Sequence, residues 1–226
     1  TDLAGSIPAM AGHVAHNEDG GGGMHGYMPW WLYKAKLDFP RGYHIEVWGG
    51  LGAPGSGFMG GIHRYPPGGG YGKQLKDDYR KYYGATIGFS GRGEMIPNAD
   101  SYCELDPNVV DRFGIPVLRF HWKWTDHEYN QVKHMHETFR ALITEMGGQI
   151  FSPMPTREQE YNIAQGGQII HELGCTRMGS DPRSSVVDGN CQAHDCKNLF
   201  IADGGPFVSQ ADKNPTWTIL ALSWRT

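Results

Sequence analysis

The sequence predicts an α+β fold: an antiparallel sheet with a helix packed on one face, followed by a carboxyl-terminal strand, turn and helix. Three stretches carry this expectation. Residues 115–124 alternate, with Leu118, Phe120, Trp122 and Trp124 pointing one way and Val117, Arg119, His121 and Lys123 the other. That is the pattern of an antiparallel strand covered on one face. Within residues 127–146, Val132, Met135, Phe139, Leu142, Ile143 and Met146 fall on one face of a helix. Residues 199–202 form a short apolar run bounded by polar and glycine residues, which suits a strand covered on both faces.

Taken in order, residues 1–26 are polar and glycine-rich and read as surface loop, with His13, His16 and His25 as solvated loop residues. Residues 27–36 are dense in aromatics, and residues 43–48 alternate like a strand. Trp30, Trp31 and Trp48 read as core-packing residues, with stacking on sugar faces as the alternative. Gly55, Gly57 and Gly60 match G-x-G-x-x-G, but the prolines and glycines of residues 61–70 rule out the helix that a dinucleotide site needs. That stretch is expected to be a loop.

Residues 74–83 read as a short polar helix, residues 85–96 as extended, and residues 102–106 as a strand ending in an Asp106-Pro107-Asn108 turn. Thr125 or Asp126 caps the long helix and Gly147-Gly148 stops it. His127, His134 and His136 are expected toward its outer side, and two histidines two apart do not share a helical face, which argues against a metal there. Asp203, Gly204 and Gly205 lie beyond the carboxyl end of the last predicted strand, where open α/β sheets bind ligands. Asn214 and Pro215 then read as the cap and first residue of a helix over residues 218–224. An ordinary strand, turn and helix without a ligand fits the same spacing.

The totals exclude several classes. At 226 residues and 39% hydrophobic, the chain has enough core for one domain, or one and a part. Its 33 glycines and 14 prolines make it loop-rich, while 12% aromatics argues against disorder. A net charge of −4 without a basic run leaves no electrostatic footprint for nucleic acid. No run of about 18 apolar residues is present, so no membrane span is expected. Cys103, Cys175, Cys191 and Cys196 do not make a disulfide scaffold at this length. Cys191, His194 and Cys196, with Cys175, raise the idea of zinc, but structural zinc sites carry a second well-spaced ligand pair that is missing here. Inert buried thiols and no metal are the expectation. The chain opens at Thr1 and stops at Arg225-Thr226 within a predicted helix, so it reads as a fragment of a longer soluble protein, its compartment open between cytoplasm and periplasm.

One region is far more specific than its composition. His171-Glu-Leu-Gly-Cys-Thr-Arg-Met-Gly179, Gln192-Ala-His-Asp195, Asn198-Leu-Phe-Ile-Ala-Asp-Gly204 and Asn214-Pro-Thr-Trp-Thr218 follow one another with few gaps. Together they resemble the carboxyl-terminal signature of the glucose-methanol-choline (GMC) flavin oxidoreductases, most of all the branch of gluconate and other sugar dehydrogenases. A weaker likeness, Gly93-Glu-Met-Ile-Pro-Asn98 through Gly114-Ile-Pro-Val-Leu-Arg119, resembles strands of that family's substrate domain. The resemblance implies that residues 1–196 are part of a substrate-binding domain, and that residues 197–226 are the last strand and helix returning to an FAD-binding domain. Cys175-Thr176 stands where many members have Thr-Cys or Thr-Thr, a conservative departure.

Removing two electrons from an alcohol needs a base for the hydroxyl proton and an acceptor for the hydride. Histidine suits the first task because its ordinary pKa lies near neutrality; no side chain performs the second, so a cofactor must. The resemblance implies FAD as that cofactor, His171 as the base, and Asn214 as its partner on the substrate oxygen. It sets Asp203 and Gly204 along the ribityl and phosphate groups, and Asn214, Pro215 and Thr216 at the isoalloxazine carbonyl edge. Arg177 and His194 match family positions too and are read as structural, Arg177 pinning its loop and His194 bonding backbone. Read alone, His171 would be a hydrogen-bonded core histidine. The implied substrate is a sugar, polyol or sugar acid, with oxygen, a quinone or a cytochrome taking the electrons. The rivals are a non-catalytic carbohydrate-binding module that has lost its flavin half, and a zinc hydrolase resting on the Cys/His cluster alone.

Overall fold

The structure, a computed structural model, describes residues 2–6, 24–27, 36–49, 72–73, 76–77, 86–150, 152–209 and 211–226. It divides into two compact units, residues 1–92 with 129–163, and residues 93–128 with 164–226. Trp30, Trp31, His13, His16 and the Gly55–Gly60 motif lie outside the described residues, as do the side chains of His25 and Trp48. So does most of the predicted helix at residues 74–83, of which 76–77 are described and helical, as are 72–73 just before it.

In the first unit, β1 (Asp2–Ser6), β2 (Met24–Tyr27), β3 (Tyr43–Gly49), β4 (Thr86–Gly93) and β7 (Gln149–Ile150) form a sheet in the order β2-β3-β4-β1-β7. β1 runs antiparallel to both β4 and β7, and β2 antiparallel to β3. The expectation of loop over residues 1–26 therefore fails at β1 and β2. Neither strand has the alternation that marks a half-buried strand; their ladders come from distant partners, Leu3 opposite Phe89 and Gly26 opposite Ile45.

Helix α1 (Asp126–Glu145) supplies the core. Its Val132, Met135, Phe139 and Ile143 pack with Phe39, Tyr43, Ile45 and Phe89, the Phe89 and Phe139 rings stacked at 5.6 Å. Leu142 and Met146, predicted for the same face, stay exposed at the end of the stripe. The helix opens as its sequence directs: Glu128 reaches back to the backbone N–H of Thr125 at 2.8 Å and accepts the threonine hydroxyl as well. It closes with Gly147 at φ 70, Gly147 N–H on the Thr144 carbonyl and Gly148 N–H on that of Ile143, which together satisfy two orphan carbonyls.

The three helix histidines are not on an outer side. His136 is fully buried with Nε2 on the Tyr161 carbonyl at 2.9 Å, His127 Nε2 meets the Glu94 carbonyl at 2.9 Å, and His134 Nδ1 meets the Tyr43 hydroxyl at 2.8 Å. One ring nitrogen of each finds an oxygen, which offsets part of the penalty that would otherwise keep a histidine out of a core.

In the second unit, β5 (Tyr102–Val110) and β6 (Pro116–His121) form an antiparallel hairpin with Cys103 opposite Phe120 and Leu105 opposite Leu118. The predicted Asp106 turn appears as an irregularity inside β5, where Asp106 Oδ1 accepts the N–H groups of Asn108 and Val109. The apolar face of β6 is not covered as expected: Leu118 is 54% and Phe120 60% exposed. Among the described residues the hairpin has two strands.

Residues 199–202 do not form a strand of a sheet. They make one bridge, Gln192 to Phe200, with Ala193 N–H on the Leu199 carbonyl and Ile201 N–H on that of Cys191. Leu199 and Phe200 are about half exposed; the neighbouring segment is itself a turn, too short to extend a ladder. Helix α2 (Thr216–Arg225) closes the chain. No helix among the described residues is long and apolar enough to cross a membrane.

Candidate functional site

Two stretches of the second unit are stitched together by backbone alone. Gly174 N–H bonds the Gly204 carbonyl at 3.2 Å, Thr176 N–H that of Gly205 at 3.1 Å, and Met178 N–H that of Pro206 at 2.9 Å. Asp203 closes the turn, its Oδ1 accepting the Gly205 N–H at 2.7 Å. Gly204 is closely packed: a Cβ there would collide with Leu173 Cδ2 and touch Ile219 Cδ1 at 3.5 Å. Leu173 follows His171 by two residues, and Ile219 lies in the first turns of α2. Leu173 and Ile219 thus both meet the Asp203–Gly205 turn at Gly204, bringing the His171 segment and the first turn of α2 to it.

The start of α2 is open. The cap position is Pro215, at φ −86 and ψ −10, rather than the expected Asn214. Proline has no side-chain acceptor, so no side-chain cap hydrogen bond is made. The first intrahelical bond runs from Ile219 N–H to the Pro215 carbonyl at 2.9 Å. Among the described residues the first-turn N–H groups and the positive end of the helix dipole are left for another acceptor.

His171 has φ 85, a left-handed conformation that costs a non-glycine residue about 1–3 kcal/mol. Its ring is partly exposed and makes no hydrogen bond among the described residues. The core-histidine reading fits neither fact. Asn214 is exposed, and no hydrogen bond joins it to His171 among the described residues. The contacts bring the segments of both residues to one turn; they do not pair the two side chains.

Arg177 pins its loop as expected, Nε donating to the Ser184 carbonyl at 2.8 Å. The His194 ring meets the Ser185 hydroxyl at 2.9 Å instead of backbone. Of the four thiols expected to be buried, Cys191 is; Cys103 is half-buried and Cys175 and Cys196 are exposed, because the turns that carry them lie at the surface, and Cys196 donates its thiol to Asn198 Oδ1 at 3.2 Å. Among the described residues no three His, Cys, Asp or Glu side chains converge as a metal site. Partial burial pushes the Cys175 thiol up, helped by the neighbouring Cys103 thiol and the Asp203 carboxylate. That neighbourhood of Cys103 with Cys175 was not legible in the sequence, and neither was the seating of Trp122 and Trp124 against residues 164–166.

Comparison with known families bears on this geometry. The family model of the GMC oxidoreductases matches residues 97–223, more than half of the chain. The chain belongs to the GMC oxidoreductase family. The matched span of this GMC oxidoreductase holds β5, β6, α1, the Asp203–Gly205 turn and nearly all of α2. Among its relatives is a gluconate 2-dehydrogenase flavoprotein of Pantoea cypripedii, 25% identical over 68% of this chain and 25% of the relative. A fructose dehydrogenase large subunit of Gluconobacter japonicus is 27% identical over 68% of this chain and 27% of its own length. A pyranose 2-oxidase of Tricholoma matsutake is 27% identical over 53% and 20%, respectively. The chain thus spans about a quarter of the length of the curated relatives it matches.

Proposed function

We propose that this chain is the carboxyl-terminal part of an FAD-dependent oxidoreductase that oxidises an alcohol group of a sugar, polyol or sugar acid. The observation that carries the reading is His171: an unbonded imidazole on strained backbone, two residues from the Leu173 side chain that seats against Gly204. Strain of this kind persists where surrounding structure holds it, and active sites collect it. The activity belongs to the whole protein. Residues 1–196 are assigned to the substrate-binding side and residues 197–226 to the segment returning to the flavin domain.

The residues present fit a flavin. Asp203 is exposed and has one carboxylate oxygen occupied by Gly205 N–H, leaving the other to accept from a ribityl hydroxyl. Gly204 backs onto protein and brings its backbone to the surface of the turn without a side chain in the way. Around Pro215, which has no N–H of its own, the uncapped start of α2 would offer the N–H groups of Asn214 and Thr216 to the carbonyl edge of an isoalloxazine ring. When bound, the flavin supplies the hydride acceptor that no side chain provides.

In this reading His171 accepts the proton of the substrate hydroxyl, and the amide of Asn214 holds the same oxygen. As the proton moves to the imidazole, charge builds on the oxygen and the hydrogen bond from Asn214 strengthens. Oxygen, a quinone or a cytochrome then takes the electrons. The names of the relatives, dehydrogenases and oxidases, support the enzyme over a carbohydrate-binding module. Substrate-driven flavin reduction in a His171→Ala variant of the full-length protein tests the assignment.

A further inference from the structure

The strap that carries His171 is fastened at both ends, and its entry is held by two tryptophans that the reaction above does not use. Trp124 donates its indole Nε1–H to the Ala164 carbonyl at 3.1 Å. Trp122 stands edge-on to Trp124, the ring centroids 5.2 Å apart at 82°. The Trp122 side chain lies so close over Gly166 that a Cβ there would be 2.8 Å from its Cγ and 2.9 Å from its Cβ. The chain then closes a turn, with Gln165 N–H on Gln168 Oε1 at 2.8 Å, Gln168 N–H on the Gln165 carbonyl at 3.0 Å, and Gly167 at φ 78.

At the exit, Gly174 bonds the Gly204 carbonyl. Nothing comparable holds the middle: Ile169 is 44% and Ile170 74% exposed, and the His171 ring has no hydrogen bond among the described residues. The left-handed backbone at His171 is therefore maintained from the two ends of the strap. One end is the flavin-side turn. The other is the tryptophan pair.

We propose that Trp122 and Trp124 are positioning residues that set where the His171 imidazole stands, Trp124 by its bond to Ala164 and Trp122 by the depth at which Gly166 can seat. The inference rests on the reading of His171 as the base. Proton abstraction requires the base within hydrogen-bond reach of the substrate hydroxyl, and a displacement of about 1 Å can cost on the order of 100-fold in rate. Neither tryptophan needs to touch substrate to have this effect.

The test uses the full-length, flavin-loaded protein. Trp124→Phe keeps a ring against Trp122 and removes the Nε1–H together with part of the indole's area. Hydrogen exchange in the peptide covering residues 165–173 is expected to quicken. The flavin reduction rate per bound flavin should fall about tenfold at saturating substrate, with the substrate dependence within about twofold of wild type. Gly166→Ala, which pushes on Trp122 instead, should reproduce both changes. In a His171→Ala background Trp124→Phe should cost little more, because the group it positions is gone. An unchanged rate in a folded Trp124→Phe protein overturns the proposal, whether or not exchange quickens; so does a slowing that adds fully to that of His171→Ala. If His171→Ala alone leaves the rate intact, the base assignment falls and takes this inference with it. A loss in His171→Ala without one in Trp124→Phe sinks the positioning role alone.

Discussion

Gly204 and Leu173 leave each other no slack: any side chain at Gly204 would run into Leu173 Cδ2. Leu173 is two residues from His171, so the shape of the Asp203–Gly205 turn and the path of the His171 segment are not independent. Gly204→Ala is expected to force Leu173 off its rotamer and to destabilise the protein by about 1–3 kcal/mol, the range for added carbon in a packed site. Bound flavin in the full-length protein should drop with it. Gly189→Ala is the control, since nothing lies within 4 Å of a Cβ there, and surface changes of this kind stay within about ±0.5 kcal/mol. Thermal denaturation and the flavin absorbance of both variants check this; equal stabilities would remove the coupling.

Tyr43 links alkaline stability to the core of the first unit. Burial pushes its hydroxyl up to about 12; a hydrogen bond from Thr138 works against the shift and the Glu137 carboxylate adds to it. In the unfolded chain the group returns to 10.0. The folded state thus holds the proton more tightly, so its contribution is complete below pH 10 and is lost as pH rises toward 12. At 1.36 kcal/mol per pKa unit, that loss is about 2–3 kcal/mol. Tyr43→Phe gives up the bonds to His134 and Thr138, costing about 1–3 kcal/mol near neutrality, but does not titrate. Urea unfolding of both proteins at about pH 8 and about pH 11.5 should show the wild-type advantage vanish or reverse; a constant gap would mean that Tyr43 ionises freely in the fold.

How much was legible follows from what each element leaves in its own sequence. Helix α1 could be read nearly to the residue, because Val132, Met135, Phe139 and Ile143 repeat at helical spacing and Thr125 or Asp126 and Gly147-Gly148 mark its ends. Strand β6 could be read from alternation, but not its exposure: alternation tells which side chains share a face, not whether anything lies on it. β1 and β2 could not be read, since Asp2–Ser6 and Met24–Tyr27 owe their extension to partners far along the chain. His136 misled because a lone histidine on a helix carries no sign of the carbonyl waiting for it at Tyr161. At the site, the Asp203–Gly205 turn and the helix start were visible as punctuation. The seam joining residues 174–178 to 204–206 was not, being made of main-chain bonds that any side chains could flank.

Asn214 is exposed and offers its amide without a competing partner among the described residues. If it holds the substrate oxygen beside His171, Asn214→Ala should slow flavin reduction by roughly 10- to 100-fold, the equivalent of one hydrogen bond of about 1.5–3 kcal/mol to a partly charged oxygen. Stability should hardly change, because no cap bond or packing is lost with it. Asn214→Asp makes the complementary point: a carboxylate cannot donate to the oxygen and would repel it, so it should be worse than alanine. An aspartate variant as fast as wild type would remove Asn214 from the reacting oxygen.

The decisive variant is His171→Ala in the full-length protein. Flavin should remain bound and the fold intact, since the ring makes no hydrogen bond among the described residues and its removal leaves no partner unsatisfied. Releasing the side chain from φ 85 does not add strain, because alanine meets the same left-handed penalty as histidine. Anaerobic reduction of the flavin by substrate should slow by about 10²- to 10⁴-fold, the usual worth of a positioned proton acceptor. Rate and flavin content together separate chemistry from scaffolding: a structural histidine would give lost flavin or lowered stability instead of a slowed reduction. A His171→Ala protein that reduces its flavin within about threefold of wild type would show that the proton leaves by another route.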